Sequence, residues 1–229
     1  MIRGPSGTVQ NMVGVTLRHC GDTGPTSPYY SGTIVNQALN AAQRKLNRDT
    51  SFNRSDMTIG LHTGVQDYAL GTHVLEVYGV TYGSGRRKLT ATTRAALNRD
   101  SSGWDAATSS QPMSYYCDGM NIGVYPRPNA SGSCLNIHHL RTPGDLVNPT
   151  SVPTWLPVEF QETICKAAAI DLVGGFNANG DGSAARLKKL YEDYLAEKQQ
   201  LSGLAIQRSR EYRATITPSG YTIFRRRPV

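Results

Sequence analysis

The sequence predicts an α+β fold: a small helical core of about four main helices, an inserted antiparallel β-sheet or sandwich region, and an extended C-terminal arm. Apolar residues recur at helical spacing near both ends of the chain. Short β-branched and aromatic runs, punctuated by Gly, Ser, Asn and Pro, fill the stretch between them. The positive charge gathers at the C-terminus, outside any segment patterned for a core.

The first helix is predicted over Thr8 to His19, with Val9, Met12, Val13 and Leu17 on one face, Thr8 as N-cap and Gly21-Asp22 as the stop. A second runs from Tyr30 to Arg48. Its apolar face is Ile34, Val35, Ala38, Leu39, Ala42 and Leu46, and Asn36, Gln37, Asn40, Gln43 and Arg44 take the opposite side. From Met57 the period shortens: MTIGL, DYAL, HVLEVYGVTY, RKLTATT, MSYYCD, MNIGVYP and SCLNIHHL read as strands. Thr63-Gly64, Gly83-Ser84-Gly85, Asp118-Gly119 and the Asn129 to Gly132 stretch supply the turns, and Thr92 to Asn98 fits a short helix. Strands at short spacing joined by hairpin turns argue for antiparallel pairing.

A Pro-rich crossing leads into WLPVEFQETICKAAAIDLVGGF, where Phe160, Ile164, Ala167, Ala168 and Leu172 form a buried stripe that Gly174-Gly175 is expected to end. The last helix is predicted from near Ser183 to about Arg210. Leu187, Leu190, Tyr191, Tyr194, Leu201 and Leu204 give its apolar side, and Lys188/Glu192 and Lys189/Asp193 are i,i+4 pairs on the other. At about 1.5 Å per residue such a helix is roughly 40 Å long. That exceeds what the domain needs for itself, so part of it is expected to pack on a neighbouring chain. The chain thus divides into N-terminal helices at 1-56, an inserted β-rich domain at 57-150, C-terminal helices at 151-207 that complete the helical core, and a basic arm at 208-229. Helices on both sides of the insert need one another for burial, so the insert interrupts one helical domain.

With 229 residues and 38% hydrophobic content the chain can bury a sizeable core. Its strongest apolar run, Ala167 to Val173, is too short and too charged to span a bilayer, which excludes a membrane-spanning role. The N-terminus shows one arginine and no continuous apolar segment of the secretory kind, so folding in a cytoplasm is expected. The four cysteines, Cys20, Cys117, Cys134 and Cys165, match no zinc-binding spacing and are expected as thiols; Cys117 and Cys134 are the pair that a hairpin would bring together.

Of the net charge of +7, Arg208 to Val229 carries +5, from six Arg and one Glu. Tyr212, Ile216, Tyr221, Ile223 and Phe224 lie between those arginines. A purely solvating tail tends to lack such side chains, so the segment is read as one that docks, against the alternative of a disordered tail in solvent.

The remaining motifs are weaker. Asn177-x-Asn179-x-Asp181-Gly182 fits the first half of a calcium loop, but Lys188 stands where a bidentate Glu is required; a polar turn capped by Ser183 or Asp181 is the plainer reading. His138 and His139 end a strand on opposite faces and so cannot chelate one ion together. No nucleophile elbow, HExxH or Walker loop is present, so no catalytic residue, metal or cofactor is expected and the chain is read as not an enzyme. Arg86, Arg87 and Lys88, beside the Gly83 to Gly85 turn, are candidates for contact with nucleic acid or an acidic partner.

Several phrases in this order resemble the head–tail adaptor (connector) proteins of tailed bacteriophages. These are a first helix ending in Cys20-Gly21-Asp22, IVNQALNAAQRKL from Ile34, MNIGVYPRPNASGSCLNIHH from Met120, PTWLPVEFQETICKAAAIDLV from Pro153, and a long charged helix before a C-terminal arm. The resemblance implies a structural virion protein at the head–tail junction, assembled in the host cytoplasm as a ring of twelve. Such a ring docks on the portal protein, extends the channel for genomic DNA, and offers its lower rim to tail or tail-stopper (nozzle) proteins. It also implies a portal-binding arm, to which Tyr221, Ile223 and Phe224 bring apolar contacts and Arg225, Arg226 and Arg227 bring charge. Leu187, Tyr191, Tyr194 and Leu201 would pack the last helix between subunits. The competing reading, from a pI of about 9.3 and the arginine tail, is a nucleic-acid-binding protein whose tail contacts phosphates.

Overall fold

The computed structural model describes residues 9–22, 30–100, 102–148, 150–176 and 181–215. Helices α1 (Val9–Cys20) and α2 (Gly32–Thr50) come first, followed by strands β1 (Arg54–Gly60), β2 (Asp67–Ala69), β3 (Val74–Tyr82), β4 (Arg87–Lys88) and β5 (Thr90–Ala91). Helix α3 (Arg94–Asp100) precedes β6 (Thr108–Ser109), β7 (Ser114–Asp118), β8 (Asn121–Tyr125), β9 (Arg127–Pro128) and β10 (Cys134–Arg141); α4 (Gln161–Phe176) and α5 (Asp181–Thr215) close the chain. The chain forms two compact units, Asn53–Asp145 and the flanking Met1–Phe52 with Leu146–Val229. Among the described residues no helix is long and apolar enough to cross a membrane.

In the helical unit, Ser31 caps α2 by accepting from the Ile34 N–H at 3.3 Å. Ser51, at φ 51, ends the helix by returning its own N–H to Asn47 O. Val35, Leu39, Ala42 and Leu46 of α2 pack with Met12 and Val15 of α1, Ile164 and Leu172 of α4, and Leu201 of α5. Each such aliphatic side chain contributes about 1.5–3 kcal/mol when fully buried. On α1, Val15 takes an inward place and Val13 is only half-buried, a shift from the expected face; Thr8, its expected cap, lies outside the described residues.

Three other expectations need correction here. Gln43 was assigned to the solvent side of α2 and is fully buried, as is Asn47. The reason is a polar clasp. Gln43 donates to Asn40 Oδ1 at 2.9 Å and accepts from Trp155 Nε1 at 3.3 Å. Asn40 in turn accepts from the Leu146 N–H at 2.8 Å and donates to the Leu146 carbonyl at 3.2 Å. Ile34, placed on the apolar face, is 38% exposed. Lastly, Gly174-Gly175 does not stop α4, which continues to Phe176. Glycine lowers helix stability by about 1 kcal/mol but keeps its N–H and C=O in the ladder, so it ends a helix only where the chain turns.

Helix α5 starts at Asp181 and runs to Thr215, beyond the expected Arg210. At about 1.5 Å per residue its length is roughly 50 Å. Lys198 reaches Asp49 of α2 at 2.6 Å. Glu197 accepts from the Thr163 hydroxyl at 2.7 Å and pairs with Lys166, both on α4. The Arg208 guanidinium lies 4.6 Å above the Phe52 ring.

The insert holds a four-stranded sheet in the order β1-β10-β3-β4 and another in the order β2-β8-β7-β5. Leu135 and Ile137 of β10 and Val80 of β3 share one core with Ile122 and Val124 of β8 and Tyr115 of β7, so the two sheets form a sandwich. The long ladders are antiparallel as expected; the two-residue pairings β5–β7 and β6–β9 are parallel. Helix α3 begins where the Thr93 hydroxyl accepts from the Ala96 N–H at 3.1 Å, and it covers the outer face of the second sheet with Leu97. There Tyr116, 1% exposed, lies over Gly123, the residue opposite it in register. A Cβ on Gly123 would stand 2.0 Å from the Tyr116 ring. That ring is held by its hydroxyl on Asp67, 2.6 Å, and by the Trp104 edge at 5.7 Å.

Cys117 faces Ile122 on β8 whereas Cys134 faces Gly60 on β1, so the pair that a hairpin might join belongs to different sheets. All four thiols are free. His138 and His139 diverge: His138 meets Asp56 at 2.7 Å on the outer face, and His139 is buried edge-on to His73 at 5.6 Å. His139 Nε2 is buried without a hydrogen-bond partner among the described residues, and burial lowers the pKa of the ring below its ordinary 6.5.

Three outcomes follow from this packing. Asn40→Ala leaves both polar backbone groups of Leu146 without their partner and should cost about 2 kcal/mol in denaturant unfolding, with Asn40→Asp, which keeps the acceptor, losing less. Gly123→Ala should destabilise the insert by about 1–3 kcal/mol, read from a thermal melt, because the held Tyr116 ring cannot yield. In the folded insert His139 takes up a proton later than in the unfolded chain. Its contribution is therefore present above pH about 6.5 and declines as pH falls through that value. His139→Phe should flatten that part of the stability–pH curve.

Candidate functional site

The described surface of α5 is set by two neighbouring stripes. Leu190, Tyr194, Leu201 and Ala205, spaced by four, seven and four positions, point into the core. One position round the helix, Leu187, Tyr191 and Leu195 follow at spacings of four and are half-buried or exposed. Of the four side chains expected to meet a neighbouring subunit, Tyr194 (6% exposed) and Leu201 (0%) are therefore inside the chain's own core. Leu187 is half-buried and Tyr191 is 49% exposed, and these two remain on the surface. Sequence periodicity merges the two stripes because both read as apolar.

Burial pushes the Tyr194 phenol upward in pKa, and its hydroxyl has no hydrogen-bond partner among the described residues. The Asp49 carboxylate raises the Lys198 ammonium and keeps it charged beside that ring, with Nζ 6.0 Å from the ring centre. Ile206, 51% exposed, adds an apolar side chain near the end of the described helix. The sequence reading missed it, although it stands next to Leu204 and Ala205 and its spacing alone could have found it.

The second surface is the β3–β4 hairpin. Gly83, at φ 68, turns the chain, and Arg86, Arg87 and Lys88 are all exposed. Arg87 is oriented by neutral groups, Gln111 Oε1 at 2.7 Å and the Pro112 carbonyl at 3.5 Å. The structure thus gathers these three cations on one hairpin, as their adjacency required. The third candidate, the arm of Tyr221, Ile223, Phe224, Arg225, Arg226 and Arg227, lies outside the described residues, as do Asn177 and Asn179 of the calcium-loop-like stretch. Among the described residues no three His, Cys, Asp or Glu side chains come together in a way that could hold a metal ion.

The described residues offer two surfaces: a long helix with an exposed flank, and a charged hairpin on the sandwich. No curated protein matches the chain. Among solved structures, one described as "Neck of empty GTA particle computed with C6 symmetry" is 14% identical, with 83% of this chain and 94% of that chain covered. Its TM-score is 0.27, and a likeness at that level carries no argument. The family model described as SU10 adaptor protein matches residues 8–219, which takes in the first helices, the whole insert and the returning helices. On that match the chain belongs to the SU10 adaptor protein family.

Proposed function

We propose that this protein is a head–tail adaptor of a tailed bacteriophage-like particle, placed at the neck of the virion. The observation that carries the reading is the adaptor-family match over residues 8–219, which extends through both units. In this reading the helical unit is the ring-forming body, a dodecamer that docks on the portal, extends the DNA channel and presents a surface to tail or tail-stopper proteins. The exposed flank of α5, with Tyr191 and Leu187, supports a subunit contact because it leaves apolar area uncovered beside a well-packed stripe. The arm at 208-229 is the portal-binding element, with Tyr221, Ile223 and Phe224 as apolar anchors and Arg225 to Arg227 as charge. The role is assembly and calls on no catalytic group.

Weak single contacts suffice for such a ring. Twelve arms on one assembly turn each further contact into an intramolecular one, and avidity can exceed the single-arm affinity by about 10²–10⁴. The protein alone is expected to be a monomer by native mass measurement, and twelve copies are expected on purified portal rings. Deleting Thr217 to Val229 should leave a folded monomer that fails to bind portal. Assembly of the truncated chain on portal would overturn the role of the arm; failure of the full chain to bind any portal ring would overturn the adaptor reading.

A further inference from the structure

The β-sandwich has two ends of different chemistry. At one end the chain enters and leaves: Arg141 N–H bonds Asn53 O at 2.8 Å and Thr142 N–H bonds His73 O at 2.7 Å. At the other end four loops are tied together. Tyr82 Oη donates to Ser110 O at 2.8 Å and bonds Ser133 Oγ at 2.9 Å, Thr63 N–H reaches Ser131 Oγ at 2.9 Å, and Gly83 N–H reaches Cys134 O at 2.9 Å. The loops at this remote end, 61–66, 83–86, 110–113 and 129–133, contain no Asp or Glu.

That end carries Arg86, Arg87 and Lys88, and among the described residues none of the three is in an ion pair; Arg87 is held only by Gln111 and the Pro112 carbonyl. Two arginines elsewhere in the insert are neutralised by contrast: Arg94 lies between Asp67 at 3.0 Å and Asp118 at 3.1 Å, and Arg99 meets Asp100 at 2.9 Å. Arg86 also has φ 48, a left-handed conformation that costs a side chain with a Cβ about 1–2 kcal/mol relative to the right-handed one. Asn or Gly would sit there more easily, and an arginine held at that cost at a loop tip is a sign of a functional demand.

We propose that this remote end of the insert is a contact surface for the phosphodiester backbone of duplex DNA. Phosphates are bound by unneutralised Arg and Lys together with hydroxyl and backbone N–H donors, and the loops at this end carry the hydroxyls of Ser84 and of Thr63 and Ser131, the last two 3.0 Å apart. An acidic protein partner is the less fitting occupant. Protein-binding patches centre on buried aromatic anchors, and the large apolar side chains exposed at this end are Val65 and Met113, with no aromatic among them. The inference rests on the adaptor reading only for the presence of DNA at the assembly.

The test is duplex-DNA filter binding of the full-length chain across a salt titration, compared with full-length R86S/R87S/K88S. Portal assembly and thermal melts are followed in parallel. Because the arm is intact in both chains, the difference isolates the hairpin. Loss of three phosphate contacts should reduce the slope of log K against log salt by about 2.7, with portal assembly and melting unchanged, and R86K/R87K should restore the slope. An unchanged slope overturns the proposal and leaves the adaptor reading to the portal measurement. Loss of portal binding with an unchanged slope overturns it as well, by assigning the hairpin to an acidic protein surface.

Discussion

The helical unit depends on a clasp made by one asparagine. Asn40 and Leu146 are 106 positions apart, and the side-chain amide of the first satisfies both backbone polar groups of the second. Apolar burial is non-directional, so the core of α1, α2, α4 and α5 can be gathered from both ends of the chain without fixing where the returning segment lies. The amide fixes it, since an unpaired buried N–H or C=O costs about 1–3 kcal/mol. Gln43 extends the clasp to Trp155, and Trp155 packs against Phe52 with ring centres 6.4 Å apart. Arg208 of α5 stacks on the same Phe52. One polar network in α2 is thus linked, through two aromatic rings, to the Arg208 turn of α5.

A second constraint sets the register of α5 on α4. Glu197 takes the Thr163 hydroxyl and the Lys166 ammonium together, and Lys198, next in sequence, takes Asp49 of α2. A half-buried carboxylate with two partners tolerates no slip of the helix by one turn, because either partner left alone would carry an uncompensated polar group into low dielectric. Fixing the register determines which stripe of α5 points outward. It leaves Tyr191 on the surface and places Tyr194 and Leu201 in the core.

Much of this was legible in the sequence, and the gaps have a common physical cause. The seven β-runs are legible as short β-branched and aromatic stretches between turn residues. Helix α2 was found by its period of 3.6. Gln43 is misplaced by its sequence pattern because an amide that is fully hydrogen-bonded inside a core has the same composition signal as one in water. Tyr194 and Leu201 were assigned outward because residue type does not distinguish a chain's own core from a neighbour's. The hairpin cations were legible as charge, but their isolation was not: only the strand pairing shows which carboxylates reach Arg94 and that none reaches Arg86 to Lys88 among the described residues. The arm was legible in its charge and apolar pattern, and its residues from Ile216 onward lie outside the described structure.

If the insert meets a duplex as proposed, the distribution of charge bears on how it would hold DNA without stopping it. Binding energy to a duplex rises with each phosphate neutralised, and so does the salt dependence, so a channel densely lined with Arg and Lys would retain the polymer it must pass. This chain is nearly neutral outside Arg208 to Val229, and in the insert Arg94 and Arg99 are already paired with carboxylates. Among the described residues Arg86, Arg87 and Lys88 are in no ion pair, and they stand on a sandwich whose second sheet is pinned by Tyr116 over Gly123. In the proposed ring, three cations per subunit would give many weak and equivalent contacts in place of a few strong ones. A duplex sliding past would exchange one contact for the next at nearly constant free energy, which is the condition for guidance without retention.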